Sequence, residues 1–296
     1  MGSDDAIAAP LLHWLKDNEG QYTFEGIVTQ PDKPVGRGQQ IEANPIAAWG
    51  KANGVRVQKP EKPGPEEVAW FKEVDLVLVL AYGHLLKTDL LEAPRLPMLN
   101  FHGSILPKYR GASPIHGALL AGETITGITL MRMVKKMDAG PMLDTETVDI
   151  GARETLPSLK AKLAQACVPL LARNLDNIFA NQLTWKEQDE ASATYTRKIQ
   201  KSDGQLDFTR PAVELERAFR AYQPWPGSFF EHKGVLLKVW DCFASSQESG
   251  AAPGTLSVGN DAVAIQTARG TLHITEIQKP GGKRLPVREF SRGFAW

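Results

Sequence analysis

The chain has 296 residues, of which 42% are hydrophobic, and its 34 Lys and Arg residues balance its 34 Asp and Glu residues. This length exceeds that of one ordinary domain, so we expect two. The zero net charge excludes a strongly basic nucleic-acid coat protein, although it leaves room for a local basic patch.

No apolar run approaches the roughly 18 to 20 residues that span a bilayer, so we expect no membrane insertion. No Lys or Arg precedes the first apolar stretch, at residues 7–15, which argues against ordinary secretion. Cys167 and Cys242 are the only cysteines, and they form no Cys-x-x-Cys pair. A disulfide framework or a cysteine zinc site is therefore not indicated, and we expect a cytoplasmic protein.

Short apolar segments alternate with amphipathic ones through about the first 180 residues. This is the βαβ pattern of a mostly parallel sheet covered by helices. The predicted strands are residues 24–28, 55–57, 76–80, 98–101 and 127–133. The predicted helices are residues 7–16, 45–53, 65–73, 114–121 and 155–179. Residues 76–80 are apolar on both faces, which predicts a central strand.

The composition changes at residues 185–205, which are polar and aperiodic, as in a linker or a docked extended segment. A predicted helix at 212–221 is followed by predicted strands at 235–239, 254–258, 262–266 and 272–277. We therefore predict an α/β domain over residues 1–185, a linker over 186–205, and a small β-barrel domain over 206–296.

Polar side chains cluster where the predicted strand 98–101 ends. Alternation along the strand places Asn100 and His102 on one side, and ligand sites of open α/β sheets lie beyond such strand ends. A second turn, at residues 137–141, offers the carboxylate of Asp138 between glycine and proline.

Three kinds of chemistry could use these residues. Asn100 and His102 could donate hydrogen bonds to an oxyanion while Asp138 orients the imidazole and accepts a proton. Ser104 could be a nucleophile activated by His102, although no Gly-x-Ser-x-Gly motif is present. His102, His116 and Asp138 could bind a metal, although this histidine separation matches no known ligand spacing. Asn100 and His102 could equally serve only to satisfy backbone groups at the strand end.

Two basic segments could bind phosphates. Lys33 and Arg37 lie in a glycine-containing loop at residues 30–40. Five basic residues near the C-terminus are interrupted by a single acidic one, Glu289. They are Lys279, Lys283, Arg284, Arg288 and Arg292. On a barrel surface they could contact a nucleic-acid backbone, but a solvated loop and a solvated edge are the simpler interpretations.

The stretch Leu-Asn-Phe-His-Gly-Ser-Ile-Leu-Pro-Lys-Tyr-Arg-Gly-Ala-Ser-Pro-Ile, residues 99–115, closely resembles the first motif of the folate-dependent formyltransferases. Residues 137–141 resemble the second motif of that family. Three further segments resemble the branch of the family that acts on methionyl-tRNA. They are the acceptor-arm loop at 30–38, the interdomain segment at 193–199 and the barrel motif at 282–293.

The resemblance implies an N-terminal Rossmann-like catalytic domain and a C-terminal OB-like, tRNA-binding barrel. The implied reaction transfers the formyl group of 10-formyltetrahydrofolate to the amino group of initiator methionyl-tRNA, through an oxyanion-stabilised tetrahedral intermediate. It requires no metal, and we expect a monomer. The alternatives are transfer to an amino sugar nucleotide, hydrolysis of the formyl-folate, or folate or tRNA binding without catalysis.

The resemblance also assigns residues. It places Asn100, His102 and Asp138 at the catalytic positions. The implied folate-binding residues are Tyr82, Gly83, Ser104, Ile105, Leu106 and Pro107. The implied tRNA-binding residues are Lys33, Arg37, Lys283 and Arg284.

One feature departs from the family pattern. Family members begin with a strand of about five residues before the first βα turn, whereas Met1 stands here at the end of that strand. We therefore expect the first strand to be missing from this sequence, through a misplaced start codon or a truncation. Unpaired backbone on the neighbouring strands would then lower stability.

Overall fold

The computed structural model describes residues 1–2, 5–35 and 40–296 and divides the chain into two units. The first unit consists of Met1–Ile115, Ile125–Asp149 and Leu159–Thr196. The second consists of His116–Thr124, Ile150–Ser158 and Arg197–Trp296. Two short segments from earlier in the chain therefore pack with the C-terminal residues.

The strands of the first unit follow the predicted order, with additions. They are β1 (Ile27–Val28), β2 (Lys33–Val35), β3 (Gln40–Glu42), β4 (Val57–Gln58), β5 (Leu78–Leu80), β6 (Leu99–His102), β7 (Arg110–Gly111), β8 (Ile125–Arg132), β9 (Met142–Asp149) and β10 (Tyr195–Thr196). β5 and β6 are parallel, and β8 and β9 continue this sheet in antiparallel orientation. β1 and β4 form a separate parallel pair.

Met1 and Gly2 lie between these two groups of strands. The amide of Gly2 donates to the carbonyl of Val28 at 3.1 Å, and the amide of Leu80 donates to the carbonyl of Met1 at 2.8 Å. Gly2 also bridges Leu80 in parallel orientation. Two residues thus occupy the line of the strand that the sequence analysis expects to be missing.

The antiparallel strand β9 was not among the predicted strands. Its sequence, Met-Leu-Asp-Thr-Glu-Thr-Val-Asp, is mostly polar, and most of its residues are half-buried or exposed. It pairs with β8 and is the edge strand of this sheet. An edge strand can carry polar and charged side chains, because it is not enclosed by apolar neighbours. Hydrophobic periodicity therefore gives no signal for it.

The helices over the N-terminal two thirds of the chain lie close to their predicted positions, except for the short helix Thr88–Leu91, which was not predicted. They are α1 (Asp5–Asp17), α2 (Pro45–Ala52), α3 (Pro65–Phe71), α4 (Thr88–Leu91), α5 (Pro114–Ala121), α6 (Leu156–Ala172) and α7 (Leu175–Phe179). The single helix predicted over 155–179 is divided into α6 and α7. At the break, the side chain of Asn174 donates to the carbonyl of Leu170 and to Asp144, both at 2.8 Å. This local competition for backbone acceptors favours a helix end.

The second unit is built on an antiparallel sheet. Its elements are α8 (Ala212–Ala221), β11 (Ser228–His232), β12 (Val235–Ser245), β13 (Leu256–Val258), β14 (Val263–Gln266), β15 (Thr271–Gln278), β16 (Leu285–Pro286) and α9 (Val287–Phe290). The strand order is β11-β12-β15-β14-β13, and β16 pairs with β15. Alternate residues of these strands, such as Leu237, Val239, Leu272 and Ile274, are fully buried. Among the described residues, no helix is both long and apolar enough to cross a membrane.

Candidate active site

The polar cluster predicted at residues 100–107 lies where β6 ends. Leu99 and Phe101 are buried on one face of this strand, and Asn100 and His102 lie on the other. Asn100 is half-buried, and within residues 1–2, 5–35 and 40–296 its side-chain amide has no hydrogen-bond partner. Its two N–H groups are therefore available to a ligand.

His102 is buried, with 5% of its surface exposed. Its Nε2 lies 3.0 Å from the carbonyl oxygen of Tyr109, and its Nδ1 lies 3.7 Å from Oδ1 of Asp138. Burial lowers the pKa of His102, while Asp138 and the Tyr109 carbonyl act in the opposite direction. The lowered pKa means that the imidazole is mainly neutral at pH 7.

The two oxygens around His102 determine where its proton lies. A carbonyl can only accept, so the neutral ring carries its hydrogen on Nε2 and presents the lone pair of Nδ1 to Asp138. A second proton, on Nδ1, would lie next to this carboxylate. The imidazole is thus arranged to take up a proton on Nδ1 beside the Asp138 carboxylate. In this geometry both ring nitrogens face protein oxygens, so of Asn100, His102 and Asp138 it is Asn100 that has unpaired donors in the part of the chain that the structure describes.

Asp138 is held in an unusual backbone conformation, with φ of 50°. Its Oδ2 accepts a hydrogen bond from the amide of Gly111 at 2.8 Å. Gly111 has φ of 107°, and a Cβ atom there would lie 2.2 Å from the carbonyl oxygen of Thr196. Only glycine fits between β10 and the carboxylate, so the Arg-Gly pair of β7 sets the position of Asp138.

Ser104 does not have the geometry of a nucleophile. Its hydroxyl is fully buried and donates to the carbonyl of Lys108 at 2.7 Å. Its own carbonyl accepts from the hydroxyl of Thr129 at 2.7 Å. These bonds, with the amide of Ser104 donating to the carbonyl of His102 at 2.9 Å, hold the turn after β6, and the hydroxyl is directed to Lys108 and not to the imidazole. The nucleophile interpretation is therefore unsupported, and Ser104 offers no exposed side-chain surface to a folate.

The other residues assigned to folate lie in two places. Ile105 and Pro107 are half-buried, whereas Leu106 is buried against Met131 and Met142. Tyr82 and Gly83 follow β5, whose last residue pairs with Phe101 of β6. Because β5 and β6 are parallel, these two residues lie beyond the carboxyl ends of the strands, where His102 also lies.

Tyr82 carries a polar atom that lacks a partner. In the part of the chain that the structure describes, its hydroxyl is buried and makes no hydrogen bond. Burial, reinforced by the charge of Glu67, raises the pKa of Tyr82 to about 12. The hydroxyl is thus neutral, and it can donate to or accept from a bound molecule.

The structure describes three of the four residues assigned to tRNA. Lys33 lies in β2, with its backbone paired to Glu42, and Arg37 lies outside the described residues. Lys283 is exposed. Arg284 forms a hydrogen bond with Glu276 at 2.7 Å, so its charge is partly compensated.

Comparison with known proteins identifies the family. The profile described as "Formyl transferase" matches residues 3–175, and the profile described as "Formyl transferase, C-terminal domain" matches residues 198–295. The chain belongs to the formyltransferase family. A relative from Methylococcus capsulatus, named methionyl-tRNA formyltransferase, is 38% identical over 274 residues, which cover 91% of this chain and 88% of that protein.

Solved structures support the fold of this formyltransferase. An N-formyltransferase from Helicobacter canadensis, in complex with folinic acid and dTDP-3-aminofucose, has a TM-score of 0.69 at 18% identity and covers 94% of this chain and 97% of its own. The sugar 3N-formyltransferase WlaRD has a TM-score of 0.68 at 18% identity, with coverages of 95% and 97%. The predicted fold class is confirmed: a Rossmann-like sheet domain precedes an antiparallel sheet domain of barrel type.

The metal-site alternative has no structural support. Within the described ranges, no three His, Cys, Asp or Glu side chains are grouped as metal ligands. In particular, His116 and Asp138 do not join His102 in such a group.

Sequence reasoning missed polar residues behind the formyltransferase site. The side chain of Arg110 is fully buried, and its Nε donates to Oε1 of Gln188 at 2.9 Å. Gln188 reaches this position because Lys186 pairs with Met142 through two backbone hydrogen bonds, at 2.8 and 2.9 Å. A buried arginine inside the motif 99–115 was the available signal, since such a guanidinium requires polar partners. Its partner, 78 residues away, could not be identified from sequence.

Proposed function

We propose that this enzyme transfers the formyl group of 10-formyltetrahydrofolate to the amino group of initiator methionyl-tRNA, in the cytoplasm and as a monomer. The observation that carries the choice of acceptor is the 38% identity, over 91% of the chain, to the Methylococcus capsulatus methionyl-tRNA formyltransferase. The sugar N-formyltransferases are only 18% identical, so their likeness concerns the fold and not the acceptor.

In the proposed reaction, a bond forms between the amino nitrogen and the formyl carbon, and the bond from that carbon to N10 of the folate breaks. The nitrogen loses a proton, and N10 gains one. Negative charge develops on the formyl oxygen as the amine attacks. Asn100 is proposed to donate from its free N–H groups to this oxygen, which is the kind of interaction that stabilises a transition state most strongly.

His102 and Asp138 are proposed to receive the proton from the attacking amine. The neutral imidazole accepts it on Nδ1, and the resulting cation lies between Asp138 and the Tyr109 carbonyl. The new positive charge also lies near Asn100 on the same face of β6, where it favours the developing oxyanion. His102 thus acts by its proton and charge, while Asn100 supplies the hydrogen bond.

The formyl donor is proposed to bind beyond β5 and β6. Tyr82 supplies an unpartnered hydroxyl, Gly83 supplies exposed backbone, and Ile105 and Pro107 supply partly exposed apolar surface. This mixture of apolar surface and few polar groups suits a folate ring. Ser104 and Leu106 contribute by fixing the shape of the turn from inside.

Lys33, Arg37, Lys283 and Arg284 are proposed to bind the tRNA backbone. A contact between a basic side chain and a phosphate contributes mainly electrostatic affinity. This affinity arises because counterions are released from the nucleic acid on binding. Replacing Arg37 by Ala should therefore weaken tRNA use and reduce its dependence on salt, with no change in folate affinity.

The decisive experiment measures release of tetrahydrofolate in a single turnover. Four reactions are compared: charged initiator methionyl-tRNA, uncharged tRNA, an amino sugar nucleotide, and no acceptor. The His102→Ala variant is the control for the site. Release that requires both the charged tRNA and His102 supports the proposal. Release without an acceptor would indicate a hydrolase, and release only with the sugar nucleotide would indicate the other branch of the family.

A further inference from the structure

The side chain of Gln188 is connected to both sides of the Asp138 turn. Its Nε2 donates to the carbonyl of Asp138 at 2.8 Å and to the carbonyl of Gly140 at 2.7 Å. Its Oε1 accepts from Nε of Arg110 at 2.9 Å. Only 9% of Gln188 is exposed, so water does not easily replace these bonds.

These contacts form a closed ring of hydrogen bonds. Gln188 binds the backbone of Asp138, Arg110 binds Gln188, and the amide of Gly111, the next residue, binds the carboxylate of Asp138. Asp138 is therefore held at its main chain and at its side chain by one connected set of groups. A ring of this kind restricts both the turn and the direction of the carboxylate.

Asp138 needs such support because its conformation is costly. A residue other than glycine with φ of 50° lies in the left-handed region, which is maintained only when its surroundings impose it. Releasing the carbonyls of Asp138 and Gly140 would let the turn relax. Oδ1 of Asp138 would then leave its place beside His102.

We propose that Gln188 is a positioning residue that holds the Asp138 carboxylate against His102. It touches neither substrate, and it acts through the turn. This inference rests on the proposed function, because the position of Asp138 matters for turnover only if Asp138 and His102 share the proton.

Two variants separate the contacts of Gln188. Gln188→Met keeps the length of the side chain and removes all three hydrogen bonds. Gln188→Glu keeps an acceptor for Arg110 but replaces the donor by an oxygen that faces two carbonyl oxygens. If the donors to the turn matter, both variants should be impaired, although the second keeps the acceptor for Nε of Arg110.

A matched control exists in the second unit. Gln266 is also buried, with 6% exposed, and its Nε2 donates to the carbonyls of Thr267 and Gly270 at 3.0 and 3.2 Å. Gln266→Met removes the same kind of bridge at a distance in sequence from the site. It measures the general cost of losing a buried amide.

We expect both Gln188 variants to lower the single-turnover rate about tenfold to a hundredfold, with KM for the formyl-folate unchanged within about twofold. In Gln188→Met, which adds no charge, moving the Asp138 carboxylate away should also lower the pKa of His102, because the carboxylate favours the charged imidazole. The imidazole resonances of His102, followed by NMR against pH, measure this shift directly. Gln266→Met should change neither quantity.

His102→Ala and Asp138→Asn, assayed in parallel, separate a failure of the catalytic assignment of His102 and Asp138 from a failure of the positioning role of Gln188. If these two variants retain the full rate, the proposed catalytic assignment fails, whatever Gln188 does. If they lose activity while Gln188→Met or Gln188→Glu keeps the rate and the pKa of His102, the positioning role is wrong. A rate loss equal to that of Gln266→Met, with an unmoved pKa, would also overturn it.

Discussion

His102 and the amino group of Met1 are both buried bases of the first unit, and burial lowers the pKa of each. Around His102, the chain supplies partners for both ring nitrogens, and a ring of hydrogen bonds holds one of those partners. A proton taken up there is stabilised by groups already in place.

The amino group of Met1 has different surroundings. It donates to the carbonyl of Leu78, and burial lowers its pKa to about 5. A cavity of about 610 Å³ adjoins it. The cavity is lined largely by apolar residues of α1, α3 and α7 and of the segments leading into β1 and β5, among them Leu11, Phe24, Trp70, Val77 and Phe179.

These surroundings make His102 a buried base that can act in a reaction, whereas burial of the Met1 amino group lowers stability. A buried polar group with prearranged partners can change its charge as part of a reaction. The Met1 ammonium has the Leu78 carbonyl as acceptor but lies beside an apolar cavity, and burial disfavours its charge, so the charge opposes folding. Variants of the first region should therefore change turnover, while variants of the second should change stability.

The largest effect is expected at Asn100. Asn100→Ala should lower the single-turnover rate about a hundredfold to a thousandfold, which corresponds to roughly 3 to 4 kcal/mol, because one oxyanion donor is lost. The melting temperature should change little, since the amide has no protein partner within the described ranges. Asn177→Ala, an exposed asparagine of α7, is the control. A fall of less than tenfold in a folded variant would assign Asn100 a structural role.

The next effect concerns Met1 and pH. The pKa of its amino group falls from 8.0 to about 5 on folding, so between these pH values the unfolded chain holds a proton that the folded chain lacks. The free energy of unfolding should therefore decrease as pH falls from 8 to 5, by about 3 kcal/mol from this group. His102 also decreases the free energy of unfolding as pH falls below the ordinary pKa of histidine, because its pKa is lowered in the folded chain.

Denaturant titrations of the chain with a free and with an acetylated amino group isolate the contribution of Met1. Both forms contain His102 and all other titrating groups, so those contributions cancel in the difference. The difference in unfolding free energy should grow as pH falls from 8 to 5. Parallel curves over this range would show that the amino group is not buried.

A third, smaller effect tests the cavity. Five Val and Ile residues placed ahead of Met1 would extend the line of Met1 and Gly2 between β1 and β5 by about 17 Å. Each buried side chain contributes about 1.5 to 3 kcal/mol. Ordering a residue costs about 1 to 2 kcal/mol for the backbone and about 0.5 kcal/mol for a branched side chain, so the two nearly balance and we expect a net gain of about 1 to 2 kcal/mol for the five residues. A Gly-Ser extension of equal length is the control, because it also removes the charge. Equal stability of the two extended chains would contradict insertion of a strand.

Local patterns predicted much of what positions the site. The proline at the start of α5 and the amphipathic period of α8 give the observed bounds of both helices, Pro114–Ala121 and Ala212–Ala221. Alternation along β6 places Asn100 and His102 on one face, as observed. These features depend on residues a few positions apart, and sequence displays such relations directly.

The support of the site depends on long-range contacts, which sequence does not display. Arg110 and Gln188 are 78 positions apart in sequence, and the polar composition of residues 185–205 indicates only that these residues form no regular core element. The left-handed conformation of Asp138 likewise follows from Gly111 and Gln188, which hold it from two other segments. The residue types at the site could therefore be predicted, but not what orients them.

The smallest effect is expected at the outer edge of the same ring. Glu190 binds both the buried Arg110, at 2.9 Å, and Lys136, at 2.7 Å, and the Lys136 side chain is 63% exposed. Exposed ion pairs of this kind often contribute nothing measurable, so Lys136→Ala should leave the urea midpoint and the single-turnover rate unchanged within error. Urea titrations at low and high salt test the unchanged midpoint, since a stabilising surface pair would weaken with salt. A rate loss like that of Gln188→Met would mean that support of Asp138 extends to the surface, and the contrast between a buried ring and a solvated rim would fail.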